Sequence, residues 1–359
     1  MKAIILAGGQ AIRLRPLTVN TPKAIVPIFN RPFLSYQFDL LKQVKEIDEV
    51  ILSLNYQPDK IETVVEQTTT EGLKVRYLVE PKPLGTGGAV KYAESYLDDS
   101  VIVLNGDVLT QIDLNAVLEI HRERRASATI VLTPVANPSA YGLVETDSDG
   151  NVRKFIEKPD PNLITCNTIN AGVYILEPST FDRIPKDTMW SIERSYFPSL
   201  VNRRETFIAY INDDYWIDIG TPAKYKKVHR DIMDGKYRAL PQLKTQGSLA
   251  WLAPNVRVES GVKLEGPYFI DRDCVIRKQA HLRPYAVIGH GCTIGEDAQV
   301  GDSVIWPNTT IGQNSRVSNS LLGRKCRIGH SVTIGPDLVL GDESVVTDYS
   351  RIERPAPMT

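Results

Sequence analysis

Ile288-Gly289-His290-Gly291-Cys292-Thr293-Ile294-Gly295-Glu296-Asp297-Ala298-Gln299-Val300-Gly301 carries an aliphatic residue at every sixth position, with glycine directly behind each. The rhythm extends both ways. Upstream it passes through Leu282, Ile276, Ile270, Leu264 and Val258 to Leu252. Downstream, one step of five leads to Ile305, Ile311 and Val317, and a second to Leu322, Ile328, Ile334, Leu340, Val346 and Ile352. A period of six suits neither one helix nor the alternating strands of a compact sheet. It suits a triangular solenoid in which each hexad forms one face and points its aliphatic residue inward, giving about six turns of three hexads.

The residues before Lys236 read differently. Ala3 to Ala7, Val50 to Leu54, Val75 to Val79 and Val101 to Leu104 are short apolar runs, the pattern of strands buried on both faces. Between them lie helical segments such as Phe33, Tyr36, Leu40, Leu41 and Val44, spaced for an amphipathic helix. The alternation predicts an α/β Rossmann-like domain with a mostly parallel sheet, and ligands then bind beyond the carboxyl ends of its strands. The expected layout is a domain over residues 1–236, a linker over 237–250 and the solenoid over 251–359.

With 359 residues, both parts are long enough for a core of their own. A formal net charge of −1 gives no electrostatic case for nucleic acid or an anionic membrane. No apolar run is long enough for a signal peptide or a bilayer span, which makes the cytoplasm the expected location. Cys166, Cys274, Cys292 and Cys326 show no metal-ligand spacing and read as residues of a reducing compartment.

After the first strand comes Leu6-Ala7-Gly8-Gly9-Gln10-Ala11-Ile12-Arg13-Leu14-Arg15-Pro16-Leu17-Thr18, with Thr21-Pro22-Lys23 closing the stretch. Glycines let backbone N–H groups approach phosphate oxygens, and Arg13 and Lys23 supply the charge a triphosphate requires. Asp107 and Asp218 each follow a strand, and oxygen ligands in such places suit Mg²⁺ bridging to phosphates.

These residues resemble the sugar-1-phosphate nucleotidyltransferases, and among them the GDP-mannose pyrophosphorylases. That signature, GGxGTRLxPLT followed by PK, overlays Gly8 to Thr18 and Pro22-Lys23. The likeness continues through Glu80-Pro81, Leu84 to Ala89, Leu104 to Asp107, Tyr141-Gly142, Phe155 to Pro159, Ile169 to Tyr174 and Tyr215 to Pro222. Members with hexapeptide-repeat tails imply that the solenoid is a left-handed parallel β-helix. The resemblance implies nucleotide binding by Leu6, Ala7, Gly8, Gly9, Glu80, Gly85 and Thr86. It implies sugar binding by Tyr141, Gly142, Glu157 and Asn170, a phosphate contact for Lys158, and a metal held by Asp107 and Asp218. The implied reaction joins a nucleoside triphosphate, with GTP favoured, to a sugar 1-phosphate, with mannose favoured, and expels pyrophosphate; Arg13, Lys23, Lys158 and the metal neutralise charge.

Glu80 carries the base argument. Relatives that use thymidylyl, uridylyl or adenylyl groups usually have glutamine there, whereas a carboxylate accepts from both adjacent donors of guanine. Ala11-Ile12 departs from the family's Gly-Thr, so a weakly active or regulatory nucleotide-sugar-binding homologue stays open beside transfer to glucose 1-phosphate. A hexapeptide-repeat acyltransferase using His281, His290 or His330 is a further alternative. Open solenoid ends predict a homo-oligomer assembled through the β-helix.

Overall fold

The computed structural model describes residues 1–68, 70, 72–238 and 250–353. Most of the expected linker, residues 239–249, lies outside them. Two compact units emerge: Met1–Gly9 with Leu34–Asp218, and Gln10–Phe33 with Ile219–Thr359. The division is not contiguous. Residues 10–33 and the helix over Pro222–Met233 group with the β-helix.

The strands of the first 218 residues are, in order, β1 (Lys2–Leu6), the short pair β2 (Pro27–Ile28) and β3 (Arg31–Pro32), β4 (Glu49–Leu54), β5 (Lys74–Val79), β6 (Val101–Asn105) and β7 (Val108–Thr110). They continue as β8 (Ala128–Pro134), β9 (Gly142–Thr146), β10 (Val152–Glu157), β11 (Thr168–Leu176), β12 (Phe207–Ile211) and β13 (Trp216–Asp218).

In the first unit β5, β4, β1 and β6 form the parallel centre of a mixed nine-stranded sheet. Antiparallel β11, β9 and β10 extend it, with β8 and β12 branching from β11. Ala3, Ile4 and Ile5 are fully buried, so β1 is covered on both faces as its unbroken apolar run required. In-register pairing sets Leu6 beside Ser53 and Asn105, aligning the carboxyl ends of β1, β4 and β6. The helix expected from Phe33 to Val44 is α1, Phe33–Leu41; after it come α2 (Pro58–Glu66), α3 (Gly85–Ala93), α4 (Leu114–Glu123), α5 (Phe197–Asn202) and α6 (Pro222–Met233).

In the second unit, eighteen short strands from Ala250–Leu252 to Arg351–Ile352 stack in three parallel sheets of six. This is the left-handed parallel β-helix. Its hexad aliphatics from Ile270 to Ile334 form one buried column. Leu252 and Val258 lie on edge strands of their sheets among the described residues, and both are exposed. Corners repeatedly use left-handed backbone at Asn and Asp, such as Asn308, Asn314 and Asp297, which tolerate it better than most side chains. The trailing glycines have a packing reason: a Cβ at Gly312 would lie 2.3 Å from the Gly329 carbonyl oxygen of the next turn. Among the described residues no helix is long and apolar enough to cross a membrane.

Candidate functional site

The carboxyl end of β6 leads straight into Gly106-Asp107, and a close approach forces glycine there. The Gly106 N–H donates to the Leu6 carbonyl, 3.0 Å, and a Cβ would lie 2.4 Å from that oxygen. Asp107 is thus held at the end of β1 and β6. Next, β7 pairs with β13 so that Asp218 stands opposite Val108, one residue from Asp107. One of the two aspartates expected to bind metal therefore ends this small ladder, and the other immediately precedes it. Among the described residues no cluster of three or more His, Cys, Asp or Glu side chains is suited to a metal. A two-carboxylate donor set fits a divalent cation that takes its other oxygens from phosphates and water.

Tyr141 has a task that the sequence did not disclose. Its hydroxyl donates to Asp218 Oδ1, 3.0 Å, and its ring meets the edge of Trp216 at 5.5 Å. Trp216 in turn donates from Nε1 to the Ala171 carbonyl, 2.9 Å. Gly142 pairs with Glu157 across β9 and β10, and a Cβ on it would strike the Phe155 ring. Asn170 Nδ2 donates to the buried Tyr174 hydroxyl, 2.9 Å, as does Asn105 Nδ2 at 3.3 Å. Tyr174 therefore ties the sugar-site candidate to the residue two before Asp107.

Burial raises the Glu157 carboxyl above its ordinary value and nearby Glu193 adds to this, while Lys158 and Arg194 oppose it. A carboxyl raised in the fold binds its proton more tightly folded than unfolded. Its contribution to stability is then full below the unfolded value and lost as pH rises through the folded one. Glu157→Gln should accordingly melt higher than the wild type at pH 7, by roughly 1–2 °C. The two curves should converge near pH 4, and calorimetry across that range checks the sign.

Glu80 is buried, and both of its oxygens are engaged. Ser53 Oγ donates to Oε1 and the Leu84 N–H to Oε2, each at 2.8 Å. The carboxylate closes the turn that starts α3 (Gly85–Ala93) and keeps further lone pairs on both oxygens. Gly85 adopts φ +70°, and the N–H groups of Gly87 and Gly88 donate to the Trp190 carbonyl at 2.8 and 3.2 Å. Thr86 Oγ1 donates to Glu193 and accepts from the Ile192 N–H. Gly85 and Thr86, expected at the nucleotide, thus anchor the 190–193 segment. Trp190, Glu193 and Arg194 went unnoticed in the sequence; the glycine run from Gly85 to Gly88 was the available signal that another backbone packs closely.

Of the signature loop, Leu6, Ala7, Gly8 and Gly9 belong to the first unit, Arg13 and Lys23 to the second. Gly8 is tight against Asn55, whereas a Cβ at Gly9 would meet nothing within 4 Å. Packing among the described residues does not demand that second glycine. Arg13 and Lys158 are exposed, Lys23 is half-buried, and Lys158 has φ +51°. Ala11, at the family's glycine position, has φ 47° and ψ 48°. Alanine there holds a left-handed conformation that glycine adopts without strain. Ala11→Gly should stabilise the chain by about 1 kcal/mol, read as a higher unfolding midpoint; an unchanged or lower midpoint would show no strain to relieve.

Residues 2–235 match the family described as nucleotidyl transferase. The chain belongs to that family. Residues 264–356 match the GMPPB C-terminal domain, which places the hexad tail of this nucleotidyl transferase as well. The chain is 33% identical to a mannose-1-phosphate guanylyltransferase of Mycobacterium tuberculosis over 85% of its length and 79% of the relative's. It is 32% identical to mannose-1-phosphate guanylyltransferase 1 of Arabidopsis thaliana, covering 97% and 93%. A UTP–glucose-1-phosphate uridylyltransferase of Synechocystis is 30% identical, covering 91% and 88%. Among solved structures, HddC from Yersinia pseudotuberculosis complexed with GMP-PN aligns with a TM-score of 0.55 at 31% identity, covering 64% of this chain and 99% of that one.

His281, His290 and His330, the acyl-transfer candidates, face neighbouring turns. His281 lies 2.9 Å from Glu265, His290 3.9 Å from Asp271, and His330 Nδ1 accepts from the Gln313 N–H. No loop protrudes from the described hexads to build a second site around them.

Proposed function

We propose that this nucleotidyl transferase is a mannose-1-phosphate guanylyltransferase that makes GDP-mannose and pyrophosphate from GTP and mannose 1-phosphate. The observation that carries the reading is the pairing, in one chain, of the nucleotidyl transferase match with the GMPPB C-terminal match. An oxygen of the sugar phosphate attacks the α-phosphorus in line. The new P–O bond forms as the bond to the β-phosphate bridging oxygen breaks, and pyrophosphate carries away the electron pair. The attacking phosphate is already ionised, so no general base is required.

Arg13 and Lys23 bind the triphosphate, Lys158 the sugar phosphate, and Glu157 with Asn170 the sugar hydroxyls. Asp107 and Asp218 hold Mg²⁺, which would neutralise charge on the phosphates. A cytoplasmic location accords with four free cysteines. Self-association through the β-helix completes the proposal, supported by Val345 and Tyr349 exposed near its end.

A coupled assay of pyrophosphate release over GTP, UTP, dTTP and ATP with mannose and glucose 1-phosphates tests it. GTP with mannose 1-phosphate should give the highest kcat/KM. A preference for UTP and glucose 1-phosphate would instead favour the reaction named for the Synechocystis relative.

A further inference from the structure

The six-residue rhythm of the β-helix drops one residue twice, between Val300 and Ile305 and between Val317 and Leu322. The strands that follow these short corners, Val304–Ile305 and Leu321–Leu322, are neighbours in one sheet. Each corner carries a left-handed residue, Asp302 at φ 48° and Asn319 at φ 49°. Helix α6 (Pro222–Met233) grips both. Arg230 Nε donates to Asp302 Oδ1, 2.6 Å, and Lys226 Nζ to the Asn319 carbonyl, 3.0 Å. The two cations are four residues apart, so they repeat at roughly 5–6 Å along the helix face. Stacked strands repeat at about 4.8 Å. The spacings match, and one helix face reads two successive turns.

Directly after these two strands come Trp306 and Gly323-Arg324. Trp306 is 1% exposed and donates from Nε1 to the Tyr225 hydroxyl, 2.9 Å; that hydroxyl donates to the Pro27 carbonyl. The Arg324 guanidinium lies over the Trp306 ring, 5.2 Å from its centroid, and donates from Nη1 to Thr21 Oγ1 at 2.8 Å. Thr21 is itself buried. One turn on, a Cβ at Gly341 would lie 3.1 Å from Pro16 Cβ. Phe29 packs edge-on to Phe269 at 4.8 Å, and Asn30 Nδ2 donates to Asp271 Oδ2 at 2.6 Å. The loop that carries Arg13 and Lys23 is thus fixed at Pro16, Thr21, Pro27, Phe29 and Asn30 by the β-helix and α6.

We infer that the β-helix is a template for the signature loop, and that Arg324 is a positioning residue that sets Lys23 through Thr21. The kinetic half of this rests on the proposed reaction; the structural half does not.

The test uses the full chain with Arg324→Met, which keeps an unbranched side chain and removes the guanidinium from both Trp306 and Thr21, and Thr21→Val, which removes the acceptor alone. Arg316→Met, exposed on another sheet, is the control. Amide hydrogen exchange over residues 11–26 should quicken roughly tenfold in both variants and stay unchanged in the control. KM for the nucleoside triphosphate should rise about five- to thirtyfold, with KM for the sugar phosphate within twofold of wild type. The double variant should be no worse than either single one. Unchanged exchange over 11–26, equal rises in both KM values, or additive effects would each overturn the inference. If the wild type turned over no substrate pair, the proposed reaction would fall and the exchange result alone would decide the template.

Discussion

Asp107→Asn and Asp218→Asn are each expected to lower turnover at least about a hundredfold. Asparagine keeps the size and one acceptor oxygen of the aspartate, so the Tyr141 hydroxyl can still donate at position 218. The ladder that places Asp218 opposite Val108 is made by backbone groups and survives either change. In the proposed site each change removes one negative ligand from a set of two, and a hard cation with only two protein carboxylates would have no spare. Pyrophosphate release at saturating substrates should fall, and the Mg²⁺ concentration for half-maximal rate should rise. Near wild-type rates for both variants would remove the aspartates from the metal site. Tyr141→Phe is the informative companion, because it removes one hydrogen bond to Asp218 without removing the charge.

Glu80→Gln should reduce the preference for GTP over UTP and dTTP by roughly ten- to a hundredfold in kcat/KM, corresponding to about 1.5–3 kcal/mol for one hydrogen bond to a charged acceptor. The internal bonds of Glu80 make this test clean. A glutamine can accept from the Leu84 N–H with its oxygen and donate to Ser53 Oγ with its amide, so the turn before α3 holds with either residue. What changes is the remaining face, from an acceptor beside an acceptor to an acceptor beside a donor. Guanine offers two adjacent donors and suits the first; thymine and uracil suit the second. A variant with intact stability and undiminished GTP selectivity would show that Glu80 serves the turn alone.

The β-helix was legible because each hexad repeats the same local demand, an inward aliphatic with a corner behind it. The central parallel strands were legible for a similar reason: Ala3 to Ile5 and Val50 to Leu52 are apolar on both faces and can only be interior. The grouping of residues 10–33 and α6 with the β-helix was not legible. It depends on Arg230 finding Asp302 and Tyr225 finding Trp306, pairs that no local pattern announces. The two five-residue steps were visible, yet their meaning needed the helix that sits on them. Likewise Asp218 could be placed at a strand end from sequence, but its Tyr141 partner lies 77 residues away. The left-handed backbone of Ala11 was anticipated only as a departure from the family's glycine.

The bond from Arg324 to Thr21 joins residues 303 apart. Ribosomes add roughly 5–20 residues per second, so Thr21 is made about 15–60 seconds before its partner. During that interval the nascent signature loop lacks its Arg324 anchor, and Thr21, buried in the fold, is without that partner. The chain therefore cannot complete its signature loop domain by domain in order of synthesis. A stop codon or frameshift before position 324 should therefore also remove a support from residue 21.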